Sequence, residues 1–368
     1  MVKHPTSAFA AEFIRASAKA MAIATYDGMT QTDQSLQSRW GQGANLWWRV
    51  HIESILEHLA AAVSSDEPGI MLAHLTWTRD VMEARGLGQK DQELCLNTLA
   101  RVLADTMRDI AGGAATRMFD EARSACSAAT ASDLHTPRID PQTPLGRIAG
   151  EYLIAVLEGR PDDAADLILS QVQRGVSPAD LYLRVLTPAQ EEVGRMWAVG
   201  DLHVGEEHVI SNVTSQVLAR LSALISRQGR RTGRRVLASA VQGNTHEIGI
   251  RIVADFFEMA GWTCVYLGAD TPIDDLVRSA QDFQVDLVAL SVGMAPQIEA
   301  CRESIAHLRH TPDTSTLPVI VGGRPFASSG DLWKKIGADA YARSPDEAVT
   351  LGERLLSNHR VNGTSHPS

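Results

Sequence analysis

Asn244-Thr245-His246-Glu247-Ile248-Gly249 follows closely on the apolar run Val236 to Val241 and opens an amphipathic segment. Three more short apolar runs, Trp262 to Leu267, Leu287 to Ser291 and Val319 to Val321, alternate with amphipathic stretches. Short buried strands separated by helices predict a doubly wound, flavodoxin-like or Rossmann-type parallel sheet. The hexapeptide then lies at the carboxyl end of the first strand, where open α/β sheets bind ligands. A glycine three positions after His246 lets a bulky group approach the backbone, and the Asn244 amide two positions before it can orient the imidazole. Those are the needs of a metal-ligating histidine. A histidine that merely hydrogen-bonds its loop is the alternative.

Outward from this sheet the pattern is helical. From Leu145 to about Arg227 the apolar spacing is that of helices, broken at Gly159-Arg160-Pro161, Gly175-Val176-Ser177-Pro178 and Val199-Gly200-Asp201, which suits a compact four-helix unit. Ser124 to Gly146, rich in Ala, Ser, Thr and Pro, has the composition of a linker. Before it, Ser7 can cap a first helix, Trp47 to Val63 repeats apolar residues at helical spacing, and Lys90 to about Ala125 continues the pattern. Asp66 as N-cap, Pro68 in the first turn and Gly86 after Arg85 bracket a helix over Gly69 to Arg85. The predicted fold class is α plus α/β: an all-helical N-terminal domain over 1–125, a linker over 126–144, a four-helix cap over 145–228, an α/β domain over 229–358 and a disordered tail over 359–368.

The 368 residues carry 34 basic and 44 acidic side chains, a formal net charge of -10. At roughly 100 to 200 residues per domain the length allows two or three compact units. The acidic balance argues against direct nucleic-acid binding. Arg227, Arg230, Arg231, Arg234 and Arg235 read as a solvated connector rather than a nucleic-acid patch. No stretch reaches the roughly 18 apolar residues of a membrane span, and the N-terminus lacks the layout of a signal peptide, so no membrane association and a cytoplasmic protein are expected. Cys95, Cys126, Cys264 and Cys301 lie far apart and read as buried thiols, not a disulfide framework or zinc site.

On His246 and Gly249 the sequence resembles the cobalamin-binding domain family, whose Asp-x-His-x-x-Gly motif supplies the lower cobalt ligand while the nucleotide tail threads into the sheet. Ser291-Val292-Gly293 and Val321-Gly322-Gly323 match the family's serine position and its paired glycines, in the right order. The resemblance covers Leu145 to about Leu356 and implies cobalamin as cofactor, with His246 as metal ligand and Asn244, Gly249, Ser291, Gly293, Gly322 and Gly323 around it. Asn244 stands where the family has an acid, so it can orient the imidazole but not exchange a proton with it, and redox cycling at cobalt is less expected.

Trp197, followed after nine residues by Glu207-His208, resembles the light-sensing branch of these domains, the CarH and LitR type. That resemblance implies adenosylcobalamin with Trp197 covering the upper face, Glu207 and His208 holding the adenosyl group, and photolysis driving a conformational or oligomeric change. The protein would then be a sensor and not an enzyme, forming a light-dependent homo-oligomer or binding a partner protein. A core tryptophan with a surface Glu-His pair is the plain alternative. Ala198 stands where such sensors carry a histidine, leaving His203, His208 or water for the vacated site. The competing function on the same fold is a corrinoid carrier of a methyl-transfer system.

The first domain shows no basic recognition helix. Trp40, Trp47, Trp48, His51 and His58 fall close together, and His74 and Trp77 are three apart on the next helix. Core and boundary residues of amphipathic helices account for all of them. The other reading is a flat tetrapyrrole site, with Arg39, Arg49, Arg79 and Arg85 available to propionates. A helical domain before a photosensory cobalamin module looks like the photocobilins, which implies biliverdin as a second, noncovalent chromophore at Trp47, Trp48, His51, His58, His74 and Trp77. Haem is the rival ligand.

Overall fold

The computed structural model describes residues 5–108, 113–225, 231–327 and 330–363. Contacts divide the chain into two compact units: Met1–Ser132 with Met294–Glu299 and Arg324–Ile336, and Asp133–Gly293 with Ala300–Gly323 and Gly337–Ser368.

The first unit is helical: α1 (Pro5–Thr32), α2 (Leu36–Trp40), α3 (Ala44–Ser65), α4 (Pro68–Ala84), α5 (Gln89–Thr106) and α6 (Ala114–Cys126). Its core is the apolar stripes of these helices, with Ile14, Trp48, Ile52, Ile55, Leu59, Leu99 and Phe119 all excluded from water. Ser7 lies inside α1 rather than capping it. Asp66 is not an N-cap either: it ends α3 in the left-handed region at φ 54, and Glu67 precedes Pro68, the first residue of α4. The stretch read as one pattern from Lys90 to Ala125 is two helices.

The compositional linker is tied down at both ends. In the first unit Arg79 donates to the carbonyls of Cys126 and Ala129, and the Ser132 amide donates to Asp80. In the second, Arg195 donates to the Leu134 carbonyl and the Arg138 amide donates to Glu192.

The second unit begins with four helical rods: α7 (Pro144–Leu157), α8 (Pro161–Gln173), a composite of α9 (Pro178–Leu181), a π-helical turn (Tyr182–Leu186) and α10 (Thr187–Val199), and α11 (Val204–Ile225). Thr143 caps α7 by accepting from the Gly146 amide at 3.0 Å, and Ser177 caps α9 through the Asp180 amide at 3.1 Å. The π turn precedes Pro188, which has no N–H to donate and whose ring crowds the preceding turn; the widened turn absorbs that misfit.

The α/β part follows as β1 (Arg235–Val241), α12 (Ile248–Met259), β2 (Thr263–Thr271), α13 (Ile273–Asp282), β3 (Leu287–Ser291), α14 (Ile298–His310), β4 (Val319–Gly322), α15 (Arg324–Ala327), α16 (Leu332–Lys335), β5 (Ala340–Tyr341) and α17 (Pro345–Gly363). The sheet is parallel throughout, in the order β2-β1-β3-β4-β5. Val236 to Val241 is buried on both faces, as a central strand covered by helices must be. The five-stranded doubly wound sheet has its topological switch between β1 and β3. α17 runs on to Gly363, into the stretch expected to be disordered; Arg227, Arg230 and residues 364–368 lie outside the described residues. No described helix is long and apolar enough to cross a membrane.

Candidate functional site

At the switch point the ends of β1 and β3 meet. Asn244 is fully buried. Its Nδ2 donates to the Ser291 carbonyl at 3.0 Å, while its Oδ1 accepts from the His246 amide at 3.1 Å and faces His246 Nδ1 at 3.2 Å. A carboxamide oxygen can only accept, so Nδ1 is the donor in this contact and Nε2 takes no part in it, on an exposed ring. An imidazole fixed by its other nitrogen is the usual arrangement of a metal-ligating histidine. The replacement of an acid by Asn244 therefore leaves the orienting function intact.

The glycines around it have separate reasons. A Cβ on Gly293 would stand 2.8 Å from Asn244 Oδ1 and 3.0 Å from His246 Nδ1, so only glycine lets the two side chains sit against the end of β3. Gly323, at φ +119, abuts the Val292 carbonyl at 1.9 Å from its missing Cβ, which locks the end of β4 against β3. That space is filled by backbone, not left open. A Cβ on Gly249 would meet nothing within 4 Å, whereas one on Gly322 would already touch the Ala342 carbonyl at 3.4 Å.

In the four-helix part, Trp197 near the end of α10 is half-buried and packs on the apolar core of the cap. Glu207 and His208 open α11; Glu207 accepts from Ser211 at 2.7 Å and lies 3.5 Å from His208 Nε2. Ser211 and Gln190 in turn link Glu207 towards Thr214 and the buried Tyr152 hydroxyl. His203 is occupied as a cap of α11, its Nδ1 accepting from the Glu206 amide.

In the first unit His58 and His74 stack at 3.6 Å and 10°, and Trp47 stacks on His51 at 5.1 Å and 19°. His58 Nδ1 bonds the Ser54 carbonyl at 2.8 Å. Trp48 Nε1, His51 Nε2 and His74 Nε2 are shut off from water without hydrogen-bond partners. Burial pulls the His51 pKa down to about 4 and that of His74 well below its ordinary range, the latter helped by the neighbouring imidazoles. Trp77 is half-buried on α4. Of the four arginines assigned to propionates, Arg39 pairs with Asp33 and Asp91 and Arg79 with Asp80 and the linker carbonyls, whereas the buried Arg49 Nε has no hydrogen-bond partner. Among the described residues no group of three or more His, Cys, Asp or Glu side chains could hold a metal ion. Cys95, Cys126 and Cys301 are buried free thiols and Cys264 is half-buried.

One array escaped sequence reading. Asp255 in the middle of α12, only 2% exposed, accepts from the Tyr182 hydroxyl at 2.8 Å and from Ser222, and Arg251 lies beside it at 3.6 Å. Arg251 also stands over the Tyr266 ring, whose hydroxyl donates to Glu247 at 3.3 Å. An acid at one position of an amphipathic helix gives no signal of partners far away in the chain.

Comparison with known proteins bears on all of this. Residues 234–350 and 148–222 each match a B12 binding domain. The chain is 27% identical over 206 residues to a corrinoid protein of Desulfitobacterium hafniense, covering 55% of this chain and 94% of that one. It is 32% identical over 123 residues to dimethylamine corrinoid protein 3 of Methanosarcina mazei, covering 33% of this chain and 72% of that one. The monomethylamine corrinoid protein of Methanosarcina barkeri shares the fold, with a TM-score of 0.50 at 20% identity over 57% of this chain and 98% of that one. These relatives overturn the light-sensor expectation: the likeness is to corrinoid proteins named for methylamines, not to CarH-type receptors. Photolysis of adenosylcobalamin, a light-dependent oligomer and biliverdin at the first unit's Trp and His residues fall with it. By its two B12 binding domains and its identity to the dimethylamine corrinoid protein, the chain belongs to the family of B12-binding corrinoid proteins.

Proposed function

We propose that the chain is the corrinoid carrier of a methyl-transfer system, with His246 as the lower cobalt ligand. The observation that carries this reading is the Asn244–His246–Gly293 arrangement: a buried amide holds one imidazole nitrogen and leaves the other outside that contact at the sheet's switch point. The open space beside Gly249 supports the approach of a large group. When bound, a corrinoid supplies a cobalt centre that accepts and releases a methyl group.

The chain's own residues do the rest. Asn244 fixes the tautomer and angle of His246. Gly293 allows the pair to sit against β3, and Ser291 presents its carbonyl to Asn244 as the anchor of the array. Residues 229–358 would act as the cobalamin domain and 145–228 as its cap, in which Trp197 would limit access to the bound corrinoid and Glu207 and His208 would offer it polar contacts. Catalysis of the transfer belongs to a partner methyltransferase, as the relatives' place among methylamine corrinoid proteins suggests.

The test is to load the full chain with methylcobalamin in darkness and offer it a thiol acceptor with a methylcobalamin:thiol methyltransferase. One methylated thiol per loaded protein is expected. Methylcobalamin that persists unchanged in the dark with an active methyltransferase would remove the carrier reading.

A further inference from the structure

The seam between the cap and the α/β part is apolar along most of its length: Ile252 and Phe256 of α12 belong to the same core cluster as Ile210, Val217 and Leu221 of α11. At one edge that seam opens to solvent as a cleft of about 330 Å³, walled by Ala219, Ala223, Ala254, Arg251, Asp255 and Tyr266 among others, with Ala219 and Ala223 exposed. Interdigitating side chains fix the register of two helices only where they fill the space between them. Three alanines do not.

The polar group at this spot is Asp255. It joins three elements of the seam: the Tyr182 hydroxyl reaches it from the π turn, the Ser222 hydroxyl from α11, and Arg251 lies one turn away on its own helix, itself donating to Ser222 at 2.7 Å. Burial, helped by the nearby Glu258, holds the Asp255 carboxyl above its ordinary range although the two hydroxyls and Arg251 pull it down. A buried carboxylate is weak support for stability, because its desolvation offsets the bonds it makes, but it discriminates sharply between registers that satisfy it and those that do not. The seam's two ends matter to the site: α12 starts two residues after His246, and α10 and α11 carry Trp197, Glu207 and His208. A small rotation at the seam therefore changes the spacing between the lower-ligand loop and the residues above it. From Arg251 the array runs on through the Tyr266 ring to Glu247, the neighbour of His246.

We propose that Asp255 is a positioning residue of the corrin site: through Tyr182, Ser222 and Arg251 it sets the register of the cap helices on the helix that follows the His246 loop. This rests on the carrier reading for its purpose but not for its geometry. In the absence of the pin the cap rocks over the cleft, and the site loses its fixed height.

The experiment is hydrogen exchange on the full apo-chain, comparing wild type with a Tyr182→Phe/Ser222→Ala double variant and with Asp255→Asn. Three lost hydrogen bonds, two to Asp255 and one from Arg251 to Ser222, predict at least about tenfold faster exchange confined to residues 178–186 and 204–222, with β1, β3 and β4 as protected as in wild type. Asp255→Asn still accepts from Tyr182 and can donate to Ser222, and is expected within about threefold of wild type. Unchanged exchange in the double variant overturns the proposal. So does a uniform increase that includes the strands, since that marks general destabilisation, and so does an Asp255→Asn protein as loose as the double variant. Should the double variant fail to fold, Ser222→Ala alone is read in the same way, with a smaller local increase expected and none refuting. A parallel arm measures methylcobalamin release, expected about tenfold faster in the double variant. Wild-type protein that binds no cobalamin sinks the carrier reading while leaving the apo arm to decide the seam.

Discussion

Replacing Gly293 by alanine tests the site at its tightest point. The added Cβ would lie 2.8 Å from Asn244 Oδ1, 3.4 Å from its Cγ and 3.0 Å from His246 Nδ1. Contacts of this kind relax to about 3.4 Å or more, so both side chains must move by roughly half an ångström. Asn244 has little freedom to do so, being fully buried and held at 3.0 Å on Ser291. Relief comes by giving up its bonds to His246. Each bond is worth about 1 kcal/mol net, and overpacking adds about 1 kcal/mol, so a loss of roughly 2 to 3 kcal/mol is expected in urea unfolding of the apo-chain. An imidazole without its orienting partner predicts 10- to 100-fold weaker cobalamin binding in an absorbance titration. The double-mutant cycle is sharper. Asn244→Ala removes the nearer clashing atoms, so Gly293→Ala should cost about 1 kcal/mol less on that background. Strictly additive costs, or a Gly293→Ala protein that binds cobalamin as wild type does, would refute the reasoning.

Gly323→Ala places a Cβ 1.9 Å from the Val292 carbonyl at a φ of +119, so it should lower stability by about 3 kcal/mol or more, and a melting temperature within 2 °C of wild type would contradict the close approach of β3 and β4. His51, held neutral down to about pH 4 by burial against about 6.5 unfolded, contributes stability that is complete above pH 6.5 and lost as the pH falls towards 4. Between pH 7 and 5 that loss is about 2 kcal/mol, so His51→Gln should flatten the pH dependence of urea unfolding by about that amount; an unchanged slope would show His51 protonated in the fold.

Much of the second unit was legible because its signals are local. Four apolar runs mark β1 to β4, and glycine-proline breaks mark the ends of the cap helices. β5 has only Ala340 and Tyr341, too few residues for a run to show. The His246 motif could be read because strand, turn and helix are consecutive in the chain. Its anchor on Ser291 could not, since 47 residues separate the two and only the β1–β3 pairing brings them together. Asp255 and Tyr182, 73 residues apart, were invisible for the same reason. Trp197 and Glu207-His208 misled in function: their spacing encodes the end of α10 and the start of α11, a geometry any such cap can share whatever sits on its upper face. The Trp and His cluster of the first unit misled similarly, because amphipathic helices with internal stacking produce it without a pigment.

The most direct measurement of the central claim is the electron paramagnetic resonance spectrum of the full chain loaded with cobalamin and reduced to cobalt(II), recorded for wild type and His246→Ala. Wild type is expected to show superhyperfine splitting from one axial nitrogen whose multiplicity changes on incorporation of ¹⁵N-histidine, and His246→Ala to lose the histidine contribution. A wild-type spectrum insensitive to the histidine label, or a His246→Ala spectrum identical to wild type, would remove His246 as the ligand and with it the reading of the β1–β3 switch point as the corrin site.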